Sequence, residues 1–145
     1  ASNVIAHSVR MKGTVRTLDK ENRALAEQRI REIAEHTALA YGATAEVVWE
    51  EGYPVTFNHE DETSYAVEAA QAVVGEASVD ANTDPILPAE DFSYMLEARP
   101  GAYIFLGNGD TPQCHHPEYV FDDEAIPVGC SWFAELVERR MPTVE

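Results

Sequence analysis

Apolar residues along this chain change their spacing several times, and each change marks an element. Over residues 20–41, Leu25, Ile30, Ile33, Ala34, Thr37 and Ala40/Tyr41 recur at helical intervals and predict an amphipathic helix. Asp19 stands where an N-cap belongs, Glu21 lies near the helix's positive end, and Gly42 stands where a left-handed glycine closes it. Residues 11–17 (MKGTVRT) and 44–51 (TAEVVWEE) read as strands, and Val4-Ile5 as the end of another. The first third therefore predicts strand, helix, strand.

Residues 52–59 carry Gly, Pro and Asn and read as a connection, with a domain boundary at about 53–59. A second helix follows over 61–74, with Tyr65, Val67, Ala69, Ala70 and Val73/Val74 on its apolar face and Gly75 at its end. Residues 81–88 are loop. Pro88 to Asp91 form the first turn of a short helix that carries Phe92, Tyr94, Met95 and Leu96. After the Pro100-Gly101 turn, residues 102–106 (AYIFL) are continuously apolar, as in a strand buried on both faces. A loop rich in Gly, Asn, Pro and His covers 107–121. A last helix covers 122–140, with Ile126, Val128, Trp132, Phe133, Leu136 and Val137 mostly inward. A buried strand flanked by helices predicts an α/β fold with a central sheet covered on both faces.

Composition adds exclusions. Asp plus Glu number 26 against 10 Lys plus Arg, a formal net charge of -16 in 145 residues. Such a field repels phosphate backbones and anionic lipid, so nucleic-acid and membrane-surface partners are not expected. No apolar run approaches the roughly 20 residues of a membrane span, and residues 1–10 lack the apolar region of a signal peptide. Cys114 and Cys130 form no CxxC pair or disulfide framework, and a reducing cytoplasm is the expected setting.

Few side chains suggest chemistry by type and place. His115-His116-Pro117 lies in the loop after the apolar strand, where α/β sheets gather ligands. A neutral imidazole there suits a divalent metal, although paired loop histidines are more often simply solvated. Glu90-Asp91 reads either as charge at a helix N-terminus or as a carboxylate that holds a metal-ligating His in place. Asn3 and Arg16, on apparently neighbouring strands, read either as exposed strand residues or as a pair reaching substrate. In the second reading Arg forks a carboxylate and Asn donates to a carbonyl. Cys114 reads as a reduced loop thiol and Cys130 as a small core residue.

Four stretches, taken in order, carry a resemblance. They are Asn3-Val4-Ile5; Gly13-Thr14-Val15-Arg16; Ala89-Glu90-Asp91-Phe92-Ser93-Tyr94; and Pro100-Gly101-Ala102 through Phe105-Leu106-Gly107, with His115-His116-Pro117 and Phe121-Asp122. Together they resemble the dimetal amidohydrolases that include hippurate hydrolase, N-acyl-amino-acid amidohydrolase and the auxin-conjugate hydrolases. The resemblance implies an α/β catalytic domain with an inserted ferredoxin-like lid that usually dimerises, in enzymes roughly two to three times this length. It implies that the chain is a C-terminal portion, with a partial lid over residues 1–57 and the end of the catalytic domain over 58–145.

The same resemblance implies that His115 is a metal ligand, that Asn3 and Arg16 face the substrate, and that Glu90 acts behind the ligands. The remaining ligands and the general base are expected upstream, so no catalytic residue is expected in this chain. The complete enzyme would use two divalent ions (zinc, manganese, cobalt or nickel) to hydrolyse the amide of N-acyl or N-aroyl amino acids. Its partners would be the missing N-terminal part and a second copy docked through the lid, and the isolated chain would be inactive. The alternative is a non-catalytic dimerisation module. Departures from the family pattern stand at Ala6 and His7, where a Pro and an acid are usual, and at Pro88, where a Gly is usual.

Overall fold

The computed structural model describes residues 3–141. The chain divides into two compact units. The first holds the residues through Val55 together with Ile86–Ala89, and the second holds Thr56–Pro85 and the residues from Glu90 onward.

The first unit is built on helix α1, Lys20–Ala40. Asp19 caps it as its position predicts, with one carboxylate oxygen accepting from the Asn22 N–H at 2.6 Å. At the other end Gly42 takes a left-handed φ of 69°. This lets the Ala43 N–H return to the Ala38 carbonyl at 2.9 Å and the Gly42 N–H to the Leu39 carbonyl at 3.0 Å, the paired closure of a Schellman motif. The expected apolar stripe does not become a core. No α1 residue is buried, and Leu25 and Ile33 are exposed. Two arginines tie the helix down instead. Arg31 reaches the Val47 carbonyl at 2.6 Å, and Arg23 reaches the Glu51 carboxylate and the Tyr53 carbonyl. They lie eight residues apart in sequence and so share one face of the helix.

The second unit has a small but real interior. Helix α2 covers Glu60–Val74, α3 Phe92–Ala98 and α4 Ala125–Arg140. Ala66 and Ala69 are buried on α2, where their small side chains let α4 approach. Trp132 of α4 then donates its indole N–H to the Ala66 carbonyl at 3.0 Å. Arg140 lies 3.3 Å above the centre of the Tyr65 ring, near the end of the same contact. On α3, Ser93 and Leu96 are buried, and Ser93 donates back to the Glu90 carbonyl. Leu96 packs so closely over Gly101 that a Cβ there would stand 3.1 Å from it.

Several expectations fail. Among the described residues none belongs to a ladder-bonded strand, so the predicted strands at 4–5, 11–17, 44–51 and 102–106 form no sheet. The segment at 102–106 is not buried on both faces: Phe105 is 61% and Leu106 48% exposed. The physical reason is that a strand exists through its neighbours, and here side chains take the neighbours' places. Asn58 both donates to the Tyr103 carbonyl and accepts from the Tyr103 N–H, each at 2.8 Å. Its carboxamide thus imitates one residue of a paired strand. His59 likewise donates its backbone N–H to the Gly101 carbonyl at 3.0 Å.

Helix α4 is also narrower than expected. Val128, Trp132 and Leu136 are half-buried, while Ile126, Phe133 and Val137 are exposed, and Cys130 is exposed rather than a core residue. No helix among the described residues is long and apolar enough to cross a membrane.

Candidate functional site

The second unit contains a loop built to hold one side chain at its tip. The loop leaves the 102–106 segment at Gly107 and ends where α4 begins. Asn108 closes it. Its carboxamide nitrogen donates to the Val120 carbonyl, and its oxygen accepts from the Asp122 N–H, each at 2.7 Å. The Thr111 hydroxyl accepts from the Val120 N–H at 3.1 Å, so both polar groups of Val120 are held by side chains from the loop's start. Asp122 in turn accepts from the Glu124 N–H at 3.0 Å and opens α4. Between these clasps the backbone makes two turns, from His116 to Gln113 and from Tyr119 to His116. Partial desolvation, and then the Cys114 thiol, push the Tyr119 phenol above its ordinary value.

His115 stands at the reversal. It is exposed, and its φ of 73° is the one left-handed non-glycine value among the described residues. That region is costly for most side chains but is visited by His more than by others, and it persists only where the surroundings enforce it. The neighbouring histidine is different. The His116 Nδ1 accepts from the Glu118 N–H at 3.2 Å, which turns its ring into its own loop. His115 makes no side-chain hydrogen bond among the described residues. Beneath the loop lies an open pocket of about 280 Å³, lined by Leu106, Asn108, Tyr119, Phe121, Ile126 and Phe133 among others.

Glu90, half-buried, sits at the entry of α3. One oxygen accepts from the Phe92 N–H at 3.1 Å and the other from the Tyr103 hydroxyl at 3.2 Å. The Phe92 N–H first, then the Asp91 side chain, hold its carboxyl below the usual carboxylate range against the opposing cost of desolvation. Partial burial first, then the Glu90 charge, raise the Tyr103 phenol. Tyr103 is fixed by rings on both sides, with Phe92 at 5.6 Å and Phe105 at 5.4 Å between centroids. The Phe92 and Tyr103 contacts of the Glu90 carboxylate thus tie the start of α3 to the Tyr103 ring.

Asn3 and Arg16 lie in the first unit, and both are exposed. Arg16 donates to the Thr14 hydroxyl at 2.8 Å. Neither sits on a paired strand. No group of three or more His, Cys, Asp or Glu side chains among the described residues could hold a metal ion. Sequence reading missed Asn108, Thr111, Asn58 and Tyr103. Asn108 carried a signal only in hindsight: an Asn after a Gly, at the mouth of a loop, is a residue type that readily bonds backbone.

The family model for peptidase family M20/M25/M40 matches residues 4–139. The chain belongs to that family. Among M20 relatives it is 37% identical over 143 residues to N-acetylcysteine deacetylase of Bacillus subtilis, covering 99% of this chain and 37% of that protein. It is 32% identical over 136 residues to hippurate hydrolase of Campylobacter jejuni, covering 94% and 36%. It is 33% identical over 133 residues to thermostable carboxypeptidase 2 of Saccharolobus solfataricus, covering 88% and 33%. The chain therefore spans about a third of the length of the curated M20 relatives it matches. No solved structure gives a significant match.

Proposed function

We propose that this chain is the C-terminal portion of a metal-dependent amidohydrolase that cleaves the amide bond of N-acyl or N-aroyl amino acids. The observation that carries this reading is the family match along nearly the whole chain, from residue 4 to 139, together with relatives named for deacetylase and hippurate hydrolase activity. The loop supports it by leaving the exposed His115 imidazole uncommitted while the His116 ring accepts from the Glu118 N–H. A pair of divalent ions, when bound, would supply the activated water and polarise the substrate carbonyl. His115 would be one ligand to that centre. Arg16 would bind the substrate carboxylate and Asn3 its carbonyl oxygen, while Glu90, kept ionised, would hold the entry of α3 and Tyr103 in place. The general base and the other ligands would come from residues outside this chain.

In this reading residues 1–57 are part of a lid that pairs with a second copy, 58–145 complete the catalytic domain, and the enzyme works in the cytoplasm. The exposed area fits such missing neighbours. The chain exposes 12326 Å², where a folded protein of its mass exposes about 7,400 Å² and two separate bodies of half the mass about 9,000 Å². Ile5, Met11, Phe105 and Phe133 are among the exposed apolar side chains.

The test is an assay of the purified 145-residue chain on hippurate and on N-acetyl amino acids with Mn²⁺, Zn²⁺ or Co²⁺, beside the same assay of the complete enzyme. The chain alone should be inactive, because a catalytic metal needs about three protein ligands and a water. In the complete enzyme, His115→Ala should weaken one metal site and His116→Ala should leave both unchanged. Arg16→Ala should raise KM for an N-acyl amino acid more than for the matching substrate without a carboxylate. Metal-dependent turnover by the chain alone, lost in its His115→Ala variant, would overturn the fragment reading. The opposite ranking of the two histidines would overturn the ligand assignment.

A further inference from the structure

We infer that Asn108 is the positioning residue of the His115 loop: its single carboxamide ties the start of the loop to its return and thereby sets where the His115 imidazole is presented. The inference rests on the reading of His115 as a metal ligand and goes beyond it to a residue that touches neither metal nor substrate.

Three observations converge on it. First, the Asn108 carboxamide binds the Val120 carbonyl and the Asp122 N–H together, each at 2.7 Å. The carbonyl of one extended residue and the N–H two positions on point to the same side, so one amide can serve both, as a residue of a neighbouring parallel strand would. Asn108 thus supplies the ladder contact that no strand provides. Second, Thr111 takes the Val120 N–H at 3.1 Å, so the return of the loop is gripped from both sides and cannot slide past its start. Third, His115 holds a left-handed φ of 73° between these grips. Released, a non-glycine residue there would relax toward ordinary backbone angles and turn its imidazole elsewhere. The clasp is what over-determines that conformation. It also fixes the start of α4, because Asp122, whose N–H Asn108 accepts, itself accepts from the Glu124 N–H.

A metal centre is sensitive to such a support. Ligands must arrive at a set distance and angle, and contacts behind them tune affinity as well as orientation. Loss of the clasp should therefore show in metal binding and in ligand geometry before it shows in overall folding.

The experiment compares Asn108→Ala, Asn108→Asp and His115→Ala with wild type in the complete enzyme. The readouts are Zn²⁺ affinity by competition with a chelating dye, and the visible absorption of the Co²⁺-substituted protein. Hydrogen exchange of the Asp122 amide is read in the 145-residue chain. Asn108→Ala should weaken one metal site on the order of tenfold, shift the cobalt bands and speed exchange at Asp122. Asn108→Asp keeps the acceptor for the Asp122 N–H but has no donor for the Val120 carbonyl, so it should fall between wild type and alanine. It carries the test if the alanine variant does not fold. If His115→Ala weakens a site while the folded Asn108 variants bind zinc as wild type does, with unshifted cobalt bands, the positioning role is overturned and the ligand assignment stands. If His115→Ala leaves zinc affinity unchanged, the ligand assignment itself falls and this inference falls with it.

Discussion

The two units of this chain are held together by different means. The first has a well-capped helix and no buried α1 side chain, and among the described residues Arg23 and Arg31 tie that helix to backbone carbonyls and Glu51. The second has a true contact between helices, in which Ala66 and Ala69 accept α4 and Trp132 bonds the Ala66 carbonyl. Exposed ion pairs and hydrogen bonds contribute little net free energy, whereas buried apolar area contributes much. The first unit therefore keeps its local structure with little buried apolar area behind α1. The second carries more of its own.

The largest test of that contrast is Trp132→Ala. It removes the indole bond to Ala66 and the packing over α2, and should cost about 3 kcal/mol, the low end for a large aromatic because the ring is only half-buried. Hydrogen exchange should show α2 and α4 losing protection together while α1 stays as it was. Equal loss in α1 would mean that the two units unfold as one.

Smaller effects are expected in the first unit. Gly42→Ala forces a side chain into a left-handed backbone and should cost about 1 kcal/mol, read as faster exchange in the last turn of α1. Arg31→Met keeps the aliphatic stem but removes the bond to Val47 and the exposed pair with Glu27, and should cost about 1 kcal/mol, seen chiefly as freer motion over residues 44–51. If Arg31→Met destabilised the chain as much as Trp132→Ala, the proposed difference between the units would be gone.

The smallest effect should depend on pH. The Glu90 carboxyl lies below its ordinary value in the folded chain, so its ionised form favours folding. That contribution is full above the unfolded value and is lost as pH falls through the folded one. Glu90→Gln should therefore melt below wild type at pH 7, with the gap closing as the pH falls from the ordinary carboxylate range through the lower folded value. A gap independent of pH would assign the effect to lost hydrogen bonds alone.

The sequence by itself determined what depends on neighbours in the chain. The Asp19 cap, the Gly42 closure and the extents of α1 and α2 follow from local bonding rules within a few residues, and the structure shows them nearly where periodicity places them. The ordered motifs from Asn3 to Asp122 were also legible as a family resemblance, which the match over residues 4–139 bears out. Tertiary structure alone decided which apolar residues found cover. The apolar run at 102–106 predicts burial, yet Phe105 and Leu106 are exposed, because burial depends on what lies across from a strand and not on the strand's own composition. The roles of Asn58 and Asn108 were hidden for the same reason. Each serves backbone groups that are distant in sequence, up to 45 positions away for Asn58, and only the folded chain brings a carboxamide to the place of a missing strand.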